Sequence, residues 1–222
     1  MRLSRRLASS KAAWVTGGPK IVKLANQAGK PSLSVGPGNA PIYIHKTADV
    51  RGAVVDILIS KTFDSSVICP AEQTCIIDDE IYDEMIAEFE RMGARMLSPE
   101  EAAKITEFAF GCGDKVSMDA VGQKAPELAA RAGFSVPPGT KILLAPLPSD
   151  LDELAEHPLV QEKLMPVLGL VRAPDVVTRD ASLAACASGR TRRNRRPPRR
   201  FRRGRRRGER RAFVRRGFTQ HS

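Results

Sequence analysis

Three places in this 222-residue chain carry residue types that could do chemistry. The first is Cys69, in Ser66-Val67-Ile68-Cys69-Pro70-Ala71-Glu72-Gln73. A thiolate is a strong nucleophile even when only partly ionised, and Pro70 would stiffen a loop that presents it. Judged alone, a free cysteine is more commonly a small buried hydrophobe. The second is Thr16-Gly17-Gly18-Pro19, where N–H groups at a helix start could bind a phosphate and glycine lets the ligand approach. An ordinary strand-to-helix turn has the same composition, and the stretch is far from a full dinucleotide fingerprint. The third is Glu162 in Gln161-Glu162-Lys163-Leu164-Met165-Pro166, whose carboxylate could accept hydrogen bonds from a sugar hydroxyl. A solvated surface acid is the commoner reading of such a residue.

The elements that must position these residues alternate. Ala12 to Val15 reads as a strand end, followed by a helix to about Gly29, with Pro19 suited to the first turn. Ser32 to Val35 is a strand that ends in the turn sequence Gly36-Pro37-Gly38-Asn39, and Ile42 and Ile44 alternate as in a third strand. Ala48 to Lys61 reads as a helix with Val54, Val55, Ile57 and Leu58 inward. Thr62 to Pro70 is then a loop carrying Cys69, and Thr74 to Ile77 a strand. Asp78 and Asp79 are placed to cap a helix running to about Gly93. Ser98-Pro99-Glu100-Glu101 is a capping box, Pro126 to Ala132 is helical, and Lys141 to Ala145 is a strand. This order predicts an α/β fold with a mostly parallel sheet and covering helices.

Composition bounds the function. No apolar run is long enough to span a membrane. Cys69, Cys75, Cys112 and Cys186 form no CxxC pair, and with three histidines the chain suits no zinc site, so the metal expectation is none. Cys75 and Cys112 read as packing residues. A reducing, cytoplasmic setting is the simplest reading. The net charge of +11 arises in one place: residues 189–222 hold 16 Arg, no Lys and one acid, Glu209. The preceding 188 residues hold 20 basic and 24 acidic side chains, a net −4.

Taken together, Val15 to about Ala173 resembles the aldehyde dehydrogenase superfamily, and within it the CoA-acylating branch found in the N-terminal half of bifunctional aldehyde–alcohol dehydrogenases. The resemblance rests on TGGPKIVKLANQAGKPSLSVGPGNAPIYIHKTADV, SKTFDSSVICPAEQ, AGFSVPPGTKILL and HPLVQEKLMPVL, in that order. It implies a nucleophile at Cys69, cofactor phosphates at Thr16, Gly17 and Gly18, a nicotinamide ribose at Glu162 and an apolar contact to the ring at Leu164. It also implies NAD as cofactor, with an aldehyde and coenzyme A as substrates. Hydrolytic members carry a general-base glutamate in the stretch matching Gly36 to Asn39. Here Gly38 and Asn39 form a substrate loop without an acid, as suits transfer to a thiol.

The resemblance implies an incomplete three-layer sandwich: residues 1–42 as a remnant of an NAD-binding domain, 43–175 as the thiol-nucleophile domain, and 176–222 as an Arg-rich disordered tail that includes Cys186. Only 15 residues precede Thr16, and the family's dimerising strand has no match. The 11 Lys and 9 Arg of residues 1–188 contrast with the 16 Arg and no Lys of residues 189–222, which is the expected product of a frameshift between about Pro174 and Thr191. Two rival readings stand beside the enzyme: a polyanion-binding protein that uses the tail, and a non-catalytic fragment with exposed strand edges.

Overall fold

The structure, a computed structural model, describes residues 11–36, 38–111 and 115–187. Cys112 and the Arg-rich stretch lie outside them.

Two parallel sheets follow one another. In the first, β1 (Ala13–Thr16) pairs with β2 (Ser32–Val35), Ala13 opposite Ser32 and Thr16 opposite Val35. They are joined by α1 (Pro19–Asn26), which has a proline in its first turn. The second sheet has five strands: β3 (Pro41–Ile44), β4 (Thr74–Asp78), β5 (Ala94–Met96), β6 (Ile142–Pro146) and β7 (Val167–Ala173). Their order across the sheet is β3-β4-β7-β6-β5, and every pair is parallel. The α/β expectation holds.

The five-stranded sheet is covered on both faces, so its central strands read as continuous apolar runs instead of alternating ones. Ile76, Leu143, Ala145, Val167 and Val171 point to one core, beneath α4 (Pro99–Phe110), α5 (Ala125–Arg131), α6 (Leu151–Glu156) and α7 (Val176–Ala187). Cys75, Ile77, Ile142, Leu144, Leu168 and Leu170 point to the other, beneath α2 (Val50–Thr62) and α3 (Asp79–Arg91). The result is helix, sheet and helix in three layers.

Several boundaries differ from the sequence reading. A division between 42 and 43 would cut β3, which belongs wholly to the second sheet. Residues 176–187 are not a low-complexity tail: α7 lies on β3, β4 and β7 and buries Ser182 and Cys186. Cys186 is therefore a core residue. The strands β5 and β7 have no counterpart in the sequence reading; β5 has three residues, one of them Arg95, and β7 lies between two prolines. Asp78 stands at the N-cap of α3 but does not cap it. Its carboxylate instead accepts from the Tyr43 hydroxyl at 2.8 Å and the Lys46 N–H at 2.9 Å, which ties the ends of β3 and β4 together. Asp79 pairs with Arg172. The capping box at Ser98 forms as expected, with Glu101 N–H on Ser98 Oγ at 3.2 Å and Ser98 N–H on the Glu101 carboxylate at 2.9 Å.

Candidate active site

The strand order decides which loops meet. Residues 38–40 lead into β3, 67–73 into β4 and 161–166 into β7. These three strands are parallel neighbours, so their entry loops emerge side by side at one end of the sheet. One loop carries Gly38 and Asn39, the next Cys69, and the third Glu162 and Leu164.

Cys69 is exposed at this edge, as a nucleophile requires and a packing residue does not. Gly38 lies directly against its loop: a side-chain carbon added at Gly38 would sit 3.4 Å from the Cys69 carbonyl oxygen. Glu162 is partly buried, and its carboxylate takes a hydrogen bond from the Gly38 main chain. Burial raises its pKa and the Gly38 hydrogen bond opposes the rise. Gly38 thus touches both the nucleophile loop and the acid. Leu164 is half-buried and adopts φ 51°, with its carbonyl held by Gly122 N–H at 3.0 Å.

Asn39 has an inward task. Its amide nitrogen donates to the carbonyls of Val160 at 2.6 Å and Cys186 at 2.5 Å, fixing the loop to the Glu162 segment and to α7. The main-chain donors near Cys69 are also partly committed. Val67 N–H goes to Asp64 O and Ala71 N–H to Ile68 O, while Pro70 has none. That leaves the N–H groups of Ile68 and Cys69 as candidate donors to an oxyanion.

The glycine turn belongs to the other sheet. Thr16 and Val35 are the C-terminal ends of β1 and β2, and Gly17 N–H donates to Val35 O at 3.1 Å. Val35 is three residues before Gly38, so their Cα atoms are at most about 11 Å apart. β2 ends at Val35, and the chain then runs through Gly38 and Asn39 into β3. Gly17 has φ 155°, Gly18 has open space where a side chain would stand, and the first turn of α1 contains no acid. These features suit an anion at the helix start. A groove of about 340 Å³ beside α2, lined by Val55, Leu58, Ile59, Thr62, Met92 and Lys141, contains none of these residues.

The sequence reading gave no role to Gln73, Lys61 or Lys163, all with no exposed surface. No local signal marks them, because Lys and Gln ordinarily read as solvated. Among the described residues no group of His, Cys, Asp or Glu could hold a metal ion.

No family model matches the chain. It is 43% identical over 167 residues to the aldehyde-alcohol dehydrogenase of Streptococcus pneumoniae, covering 71% of this chain and 18% of that protein. It is 34% identical over 169 residues to the acetylating acetaldehyde dehydrogenase EutE of Escherichia coli, covering 73% and 35%. Among solved structures it matches an acetylating aldehyde dehydrogenase from Geobacillus thermoglucosidasius with TM-score 0.75 and 31% identity, over 83% of this chain and 41% of that one. It also matches a propionaldehyde dehydrogenase from Rhodopseudomonas palustris, solved with bound CoA and an acylated cysteine, with TM-score 0.73 and 28% identity, over 83% and 42%. A parallel sheet with this strand order, entered by a cysteine loop and an acidic loop side by side, is an aldehyde dehydrogenase fold. Over its matched residues the chain belongs to the CoA-acylating branch of the aldehyde dehydrogenase family. It spans less than a fifth of the first of these relatives.

Proposed function

We propose that Cys69 is the nucleophile of a CoA-acylating aldehyde dehydrogenase, acting on an aldehyde such as acetaldehyde. The observation that carries this reading is the convergence of Cys69, Gly38 and Glu162 at one sheet edge. Cys69 Sγ attacks the aldehyde carbonyl carbon, and the oxygen takes up the negative charge near the Ile68 and Cys69 N–H groups. A nicotinamide dinucleotide, which we read as NAD, would supply the hydride acceptor when bound. Glu162 would accept its ribose hydroxyls, Leu164 would pack near the ring, and Gly17 and Gly18 at the start of α1 would hold a phosphate. The thioester left on Sγ is resolved by the CoA thiol: the carbonyl–Sγ bond breaks, acyl-CoA leaves and the Cys69 thiol is restored. No carboxylate stands in Gly38-Asn39 to activate water, which favours the thiol as acceptor.

The acyl-transfer half of the reaction runs in reverse without a dinucleotide, and that isolates Cys69. Mixed with acetyl-CoA, the chain should release free CoA and gain one acetyl group at Cys69, measured by intact mass and peptide mapping. Cys69→Ala should abolish the label. Acetylation that survives Cys69→Ala would defeat the assignment. The comparison of NAD with NADP in aldehyde oxidation tests the cofactor.

The 16 Arg of residues 189–222 support a separate activity, binding of nucleic acid without sequence preference. Its mark would be an affinity that falls steeply with salt and vanishes when 189–222 are deleted.

A further inference from the structure

Gln73 stands where the three site loops join, and each of its polar groups is used. Its N–H donates to Ala40 O at 3.0 Å, in the loop that holds Gly38. Its side-chain amide donates to Ala71 O at 2.8 Å, two residues from Cys69. Its side-chain oxygen accepts from Lys163 N–H at 3.1 Å, beside Glu162. Its carbonyl accepts from Gly169 N–H at 3.1 Å and from Lys163 Nζ at 2.6 Å. Lys163 Nζ makes a second bond, to Leu159 O at 2.5 Å.

A fully buried lysine is costly, and an apolar side chain of similar length would fill the space more cheaply. Lys163 therefore has a task beyond packing. Its two bonds run to two different loop segments, and even a neutral amine has the two N–H donors they need. The chain at Leu164 turns through φ 51°, an unfavourable conformation for leucine that its surroundings must hold. The second interior lysine is a natural contrast. Lys61 Nζ donates to Met165 O at 3.2 Å, a carbonyl that already accepts from Val167 N–H at 2.7 Å, and it lies near the Glu72 carboxylate.

We infer that Lys163, clamped on Gln73, is a positioning residue that locks the Glu162 loop to the Cys69 loop. The inference rests on the proposed role of Cys69, so its test has an arm independent of that role. Amide hydrogen exchange on the full chain should show that Lys163→Met raises exchange in 66–73 and 159–165 together. Lys61→Met, which removes no bond to Gln73, should raise exchange in the two segments far less than Lys163→Met does. In the acetyl-CoA reaction Lys163→Met should lower the maximal rate of Cys69 acetylation by about tenfold or more, since small misplacements of reacting groups are expensive. Alkylation of Cys69 by iodoacetamide, which needs only an accessible thiol, should stay near the wild-type rate. Lys163→Gln keeps a donating nitrogen on a side chain one atom shorter and should fall between the two.

Exchange that rises in 159–165 alone would overturn the inference. So would equal effects of Lys163→Met and Lys61→Met, or failure of both Lys163 variants to fold, which would make the residue purely structural. A wild-type chain that takes no acetyl group would sink the proposed function, and the exchange comparison would still decide the role of Lys163.

Discussion

Cys69 is useful only because of what its neighbours lack. Gly38 has no side chain, and this lets its backbone approach the Cys69 carbonyl and reach the Glu162 carboxylate. A methyl group there would stand 3.4 Å from that carbonyl, at the short end of van der Waals contact, and would fill the space between the two loops. Gly38→Ala should slow Cys69 acetylation by about tenfold. The site is on the surface, so its unfolding midpoint in urea should shift by no more than about 1 kcal/mol equivalent. A variant with wild-type acetylation would show that the approach of these loops has no catalytic consequence.

The segment before Cys69 makes an unusual element. After α2 the chain passes through Asp64, Ser65 and Ser66 with φ of 47°, 52° and 68°, three successive left-handed residues and none of them glycine. This turn reverses the chain out of α2 and aims it toward β4, with Val67 N–H closing on Asp64 O. L-residues resist this region by about 1–2 kcal/mol each. Ser66 adds a second cost, because it is fully buried and its hydroxyl has no hydrogen-bond partner among the described residues. Ser66→Gly removes both costs and adds chain entropy to the unfolded state. The net expectation is a gain of about 1 kcal/mol in urea stability, with unchanged far-UV circular dichroism. A loss of stability would mean that the buried hydroxyl has a role the turn geometry does not show.

At the scale of the whole molecule, the interior lysines link stability to pH. Burial pushes the Lys61 ammonium down from 10.5 to about 7, with the nearby Glu72 carboxylate opposing. Lys163 is also lowered, by burial and then by Lys61. Below about pH 7 both folded and unfolded chains hold the Lys61 proton, so the full cost of burying the charge is felt. Between about 7 and 10.5 the unfolded chain binds more protons than the folded one, so stability rises with pH. Urea midpoints measured from pH 6 to 9 should therefore increase. Lys61→Met should flatten the curve, since it removes a group that titrates in this range. A midpoint that falls with pH in wild type would contradict this. Any cooperative transition in these experiments would also count against the reading of the chain as an unfolded fragment. The small sheet is the weaker part: Trp14 is 84% exposed and Leu33 57%, whereas the five-stranded sheet is covered on both faces.

Much of this was legible in the residues themselves. The alternation of strands and helices, the Ser98 capping box, the loop that presents Cys69 and the charge break near Gly189 are all local, and local propensity acts within a few residues. What the tertiary structure alone decided is who meets whom. Gly38, Cys69 and Glu162 are far apart in sequence and converge because β3, β4 and β7 lie side by side, an order set by total burial and visible in no single segment. The same cause took Asp78 from its helix cap to Tyr43, drew residues 176–187 into the core as α7, and put Lys163 on Gln73 inside. A side chain's type states what it can bond to; only the packed chain determines which partner is within reach and whether water remains to compete.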